Sequence, residues 1–160
     1  RNLKEDLVKV AVVERHQGTG NVACGFLKGY GIKEGAVALS VAHDSHNIIV
    51  VGVNDEEMEF AVNSLIAQEG GIVLVKEGKV IEQMPMPIAG LMSDQSGEWV
   101  DEKLTSIHEK AYTELGICGD VEPVMTLCFM SLAVIPEIKL TDMGLFDVTT
   151  FSFIPVEISR

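Results

Sequence analysis

The chain has 160 residues, with 12 Lys or Arg against 24 Asp or Glu, for a formal net charge of −12 at pH 7. That length fits one domain over residues 1–160, able to bury about 70% of the surface its unfolded chain exposes. So acidic a balance argues against DNA, RNA or an anionic membrane as a partner.

In chain order, residues 7–13 (LVKVAVV) are rich in β-branched side chains and read as a buried strand. A polar, glycine-containing turn follows over 14–21. Residues 22–30 are expected to form a short helix ending at Gly31, with Val22, Phe26 and Leu27 on one side. Gly29, Gly31 and Gly35 punctuate a loop into two further apolar runs, 36–42 (AVALSVA) and 48–53 (IIVVGV), both read as buried strands.

Asn54 is a good helix N-cap, with Asp55, Glu56 and Glu57 in the first turn where the helix dipole favours anions. Met58, Ala61, Val62, Leu65 and Ile66 then recur at helical spacing until Gly70-Gly71 stops the helix. Residues 72–76 and 79–84 flank Glu77-Gly78 and predict a β-hairpin. Pro85 and Pro87 end it, and 88–97 is an irregular loop. A helix is expected over 99–115, with Val100, Leu104, Ile107 and Ala111 on one face.

Residues 124–135 are apolar and fit either helix or strand, and the tail from Leu145 is expected to add a last strand. The 124–135 run is too short to span a bilayer. The element order suggests an α+β or α/β layered domain with a mixed β-sheet packed by helices.

Three unpaired-looking cysteines, Cys24, Cys118 and Cys128, lack CxxC spacing and suit a reducing cytoplasm. Their apolar settings predict core thiols rather than nucleophiles. His108, beside Glu109, is expected to be solvated. A mean hydropathy of +0.26 is compatible with a well-filled core, or with apolar surface covered by another domain or subunit.

The densest chemistry lies between the strands at 36–42 and 48–53. His43, Asp44, His46 and Asn47 place two imidazoles, a carboxylate and a carboxamide within five residues. Imidazole nitrogen with carboxylate oxygen suits a metal or substrate site. Equally, Asp44 and Asn47 can cap a turn while the histidines hydrogen-bond in a packed interface.

Glu14, Arg15 and His16 form a second cluster at the end of the first strand. Were the two strands parallel neighbours, His16 and His43 would share a cleft, with Glu14 orienting a histidine or pairing with Arg15. A third feature is the loop 84–94, whose prolines and exposed-looking Met, Ile and Leu residues predict docking against a neighbouring domain.

Several long phrases carry a family resemblance: VERHQGTGN (13–21), KGYGIKEGAVALSVAHDSHNIIVVGVND (28–55), GGIVLVKEGKV (70–80), MPMPIAGLMSD (84–94) and PVMTLCFMSLAVIPEIKLTDMGLFDV (123–148). Together they resemble the C-terminal region of bacterial and archaeal adenine deaminases of the amidohydrolase superfamily. The resemblance implies a parent enzyme that hydrolyses adenine to hypoxanthine and ammonia at a manganese or iron centre in a barrel domain. The superfamily's His-x-His ligand pair is absent here, and a barrel of about 250 residues does not fit. The chain alone is therefore expected to bind no metal and to be inactive.

The resemblance further implies that this region packs on the barrel and shapes its active site. His43 and His46 are the candidate catalytic assistants, and Glu14, Arg15, His16, Asp44 and Asn47 the candidates for substrate or interface contact. A purely structural or homo-oligomerisation module is the alternative, and an independent metal-dependent hydrolase a distant one.

Overall fold

The computed structural model describes residues 5–157. The first strand, β1 (Leu7–Val13), is built largely from valines, whose branched side chains suit a pleated sheet covered on both faces. Alternation sends Val8, Val10 and Val12 into one core and Ala11 into another. β2 (Val22–Lys28), β3 (Ala36–Leu39), β4 (Ile48–Gly52), β5 (Gly71–Lys76) and β6 (Lys79–Pro85) complete a six-stranded sheet in the order β2-β1-β4-β3-β5-β6. Every pairing in it is antiparallel.

One face of this sheet is covered by α1 (Asp55–Ala67). Its N-cap forms as the sequence predicts: the Asn54 side chain accepts from the Glu57 amide at 2.8 Å. Met58, Ala61 and Leu65 then pack on Ala36, Ala38, Val50, Val73 and Val75. Complete burial of a side chain such as Leu65 contributes on the order of 2 kcal/mol.

The other face is covered in two halves. Over β5 and β6 lies α2 (Gly97–Thr113), capped by Ser96 and burying Ile107 and Ala111. Towards β4 lies the short α3 (Pro123–Cys128), continued by one 3₁₀ turn (Phe129–Ser131), with Val124, Leu127 and Cys128 in the core. A second, three-stranded antiparallel sheet follows: β7 (Ile138–Thr141), β8 (Gly144–Asp147) and β9 (Ser152–Ile154). It packs its Leu140 and Leu145 side against β2.

The layered α+β domain is the expected one, with a sheet that is antiparallel throughout. The ambiguous 124–135 segment resolves as helix and 3₁₀ turn, and the tail supplies a small sheet where one strand was expected. One element differs outright. Residues 22–28 form β2 and not a helix, because Ala23 and Leu27 turn inward onto the core while Val22, Cys24 and Phe26 point outward, a period of two. Among the described residues no helix is long and apolar enough to cross a membrane.

Candidate functional site

β1 and β4 lie side by side with Val13 opposite Ile48. The residues that follow β1 and those that precede β4 therefore emerge at the same end of the sheet. The two polar clusters of the sequence meet there, although not by parallel pairing. β1 and β3 run the same way, and β4 lies between them, antiparallel to both.

Arg15 joins the clusters. Its backbone amide donates to Asn47 Oδ1 at 3.3 Å, and its guanidinium donates from Nε to the His46 carbonyl and from Nη2 to the Ala89 carbonyl at 2.8 Å. Asn47 is buried, so its carboxamide holds the junction from inside. The His16 ring places Nε2 2.7 Å from the Ser45 carbonyl. Gly90, in the left-handed region at φ +72°, lies flat under Arg15: a Cβ there would meet Nη1 at 2.7 Å. The Ser40 hydroxyl fastens the same loop, donating to Gly90 O at 2.5 Å and accepting from Gly71 N at 2.8 Å.

Glu14 does not orient a histidine or pair with Arg15, as the sequence suggested. Its carboxylate gathers the amides of His16, Gln17 and Thr19 and the Thr19 hydroxyl. Those donors, the Thr19 amide foremost, hold its pKa down to about 2. Glu14 thus organises the turn over 16–19.

The histidine pair is arranged differently. The His43 amide donates to the Cys128 carbonyl at 3.1 Å, and its ring stacks on Phe129 with centroids 5.0 Å apart. His46 meets His43 edge-on at 5.6 Å. Asp44 Oδ1 lies 3.9 Å from His43 Nδ1 but is itself largely exposed. His46 Nδ1 is buried with no hydrogen-bond partner. Burial, with His43 and Arg15 nearby, holds the His46 imidazole below the ordinary histidine value.

The ring a ligand can reach is the part-exposed His43, which is equipped to hydrogen-bond or to move a proton, while His46 Nδ1 is sealed behind it. Asp44 and Ser45 also form one rim of a groove of about 380 Å³ that runs to Leu132, Val134 and β8.

As a metal centre the set does not fit. His16 is committed to the Ser45 carbonyl, and His46 Nδ1 faces protein. Among the described residues no three His, Cys, Asp or Glu side chains are grouped to hold an ion.

Elsewhere the sequence readings need correction. His108 is not simply solvated: its Nε2 bonds the Glu122 carboxylate, which also caps α3. Only Cys128 is a core thiol, pushed up to about 11 by burial, while Cys24 and Cys118 are exposed. Loop 84–94 is not among these corrections: it is fastened to its own domain through Ala89 and Gly90 and still leaves Ile88 and Met92 outward. Phe129 beneath His43 and the Ser40 anchor carried no local sequence signal, since their partners are distant along the chain.

The model of a family described as "Adenine deaminase C-terminal domain" matches residues 1–152. Adenine deaminase 2 of Desulfotalea psychrophila is 75% identical over 153 residues, covering 96% of this chain and 27% of that protein. The adenine deaminase of Ligilactobacillus salivarius is 52% identical over 98% of this chain and 27% of its own length. That of Bacillus subtilis is 48% identical over 95% and 26%. The chain spans about a quarter of the length of these curated relatives. With the match running through the sheet, all three helices and both polar clusters, this chain belongs to the adenine deaminase C-terminal domain family.

Proposed function

We propose that this chain is the C-terminal domain of an adenine deaminase, 1–160 forming one domain, and that it packs on a preceding metal-bearing barrel and shapes its active site. The observation that carries this reading is the family match over residues 1–152, joined to relatives named adenine deaminase. The full polypeptide would hydrolyse adenine, with water replacing the 6-amino group, to give hypoxanthine and ammonia.

Manganese or iron would belong to the barrel, because the histidines here do not form a metal centre. Within this chain, Arg15 and Asn47 would hold the turn that presents His43 and His46. His43, half-exposed and stacked on Phe129, would contact the purine or relay a proton, and His46 would support it. Glu14, His16 and Asp44 would shape the contact surface around them. A cytoplasmic location accords with three free cysteines.

The hydrogen bonds that Arg15, Ser45 and Asn47 spend on the turn favour a second reading, in which the cluster is purely structural. Kinetics on the full-length polypeptide separate the two. His43→Ala and His46→Ala are each expected to lower kcat/KM for adenine by more than about tenfold, the low end of a proton-transfer contribution. Near-wild-type kinetics in both, with a lowered melting temperature, would assign the cluster to structure. The 160-residue chain alone is expected to release no ammonia from adenine.

A further inference from the structure

The second sheet has two unlike faces. Register places Leu140, Leu145 and Ile154 on one side, against β2, and Lys139, Phe146 and Phe153 on the other. On that outer side Phe151 and Phe153 each meet Phe146 edge-on, with centroids 5.2 Å apart. Half of the chain's six phenylalanines are therefore gathered at one place.

Phe146 is half-buried, and the side chains around it are open. Phe151 is 77% exposed, Met143 71%, Val134 69% and Phe153 52%. Aromatic and methionine side chains at such exposure are what the desolvated centres of protein interfaces are made of. Scattered single apolar residues need no explanation, but a contiguous cluster does.

The groove of about 380 Å³ between this cluster and the 131–134 segment has Asp44, Ser45 and Asp142 on its rim. It is thus continuous with the histidine turn, and any body seated in it touches that turn.

We infer that this aromatic groove is the seat of the preceding domain of the same polypeptide. The inference deepens the reading above and rests on it. Its occupant follows from length. The chain covers 26–27% of its relatives' length, so on that reading a body almost three times its size belongs to the same polypeptide and is the first candidate to cover an open apolar face. Burying the exposed Phe151, Phe153, Met143 and Val134 side chains gathered at the groove gains about 25 cal/mol per Å² of apolar area. Its acidic rim, Asp44 and Asp142, calls for Lys or Arg around an apolar centre on the opposing surface.

Two other outward features lack such an aromatic cluster. The loop at Ile88 and Met92 presents two apolar side chains and is pinned to its own domain. On the outer edge strand, Val22 and Phe26 stand without aromatic neighbours.

Hydroxyl-radical footprinting of the full-length polypeptide against the 160-residue chain tests the assignment. Oxidation of Met143, Phe151 and Phe153 is expected to fall by about tenfold in the full-length protein, as side chains pass from exposed to interface core. Phe151→Asp in the full-length protein, at a position too exposed to disturb the fold, is expected to return Met143 to the rate seen in the short chain. Phe26→Asp is expected to leave Met143 protected. Protection of Phe26 or Met92, with Met143 and the phenylalanines unchanged, overturns the groove and keeps the docked domain. Absence of protection anywhere overturns the docked domain and the groove with it. Met143 remaining protected in Phe151→Asp also removes the aromatic cluster as the seat.

Discussion

Two polar networks on this domain have opposite characters. Between β6 and α2, Glu82 receives Lys103 Nζ at 3.0 Å and the Ser106 hydroxyl at 2.5 Å, and Lys110 Nζ lies 3.2 Å away. Its carboxylate is 10% exposed. Burial opposes ionisation there, but the Ser106 hydroxyl and both lysines overcome it and hold the pKa down to about 2. At the end of β1 and β4, by contrast, Arg15 and Asn47 are engaged in the turn while His46 Nδ1 has no partner and His43 is half-open. The first network is closed and its existence is accounted for by stability. The second leaves hydrogen-bonding capacity unfilled, which stability does not explain. An orphaned ring nitrogen behind a part-open imidazole, more than polar density, marks the candidate site.

The largest expected effect tests the closed network. Glu82→Ala leaves two lysines and a serine facing an apolar seam and is expected to cost about 3 kcal/mol in urea unfolding. A loss comparable to a plain surface substitution, below about 0.5 kcal/mol, would reduce the clamp to a surface ion pair.

The same group sets an acid limit. Its folded pKa of about 2 lies below the ordinary carboxylate value of about 4.3. The folded state therefore binds fewer protons than the unfolded one in that window. The stability it supplies is present above pH 4.3 and lost as pH falls towards 2. Glu14 titrates in the same direction. Glu82→Gln should flatten the acid limb of stability more than Glu14→Gln, because the Glu14 carboxylate sits in water.

The open network responds next. Arg15→Ala removes the side-chain donors to the His46 and Ala89 carbonyls and is expected to cost about 2 kcal/mol. It should also speed amide exchange in the 88–92 loop. Arg15→Lys should recover less than half of that loss, since one ammonium replaces a fork spanning two carbonyls. Full recovery would mean that charge alone, and not the bridging geometry, holds the turn.

Much of this architecture was legible. Valine-rich runs gave β1 and β4, Asn54 with three following acids gave α1, and Glu77-Gly78 gave the β5–β6 hairpin. Within the 22–30 segment Val22 and Phe26, four apart, imitate a helix face although the backbone is strand β2. Gly25, poor in helices and strands alike, is explained by packing. Its missing side chain admits Leu145, which lies 3.3 Å from where a Cβ would stand.

The site divides in the same way. The histidine turn is contiguous in sequence, and its polar density was visible. The Arg15 bridge reaches 31 residues to His46 and 74 to Ala89, and the Glu82 clamp 21 residues to Lys103, so pairing of distant strands and helices had to be known first. The conjunction of His16 and His43 at one end of the sheet was expected, but the intervening β4 was not.

The smallest effect belongs to His46. Its backbone lies in the left-handed region at φ +52°, which asparagine tolerates well, so His46→Asn removes the titrating ring without straining the turn. In the parent, burial keeps the folded imidazole harder to protonate than the unfolded one. The unfolded chain then binds more protons as pH drops below about 6.5, and the folded state loses stability relative to it. The stability difference between parent and His46→Asn should therefore shift against the parent from pH 7.5 towards pH 5.5. A pH-independent difference would show that the ring is equally protonatable in both states. The orphaned Nδ1 would then have a partner in solution, and the contrast with the satisfied Glu82 clamp would vanish.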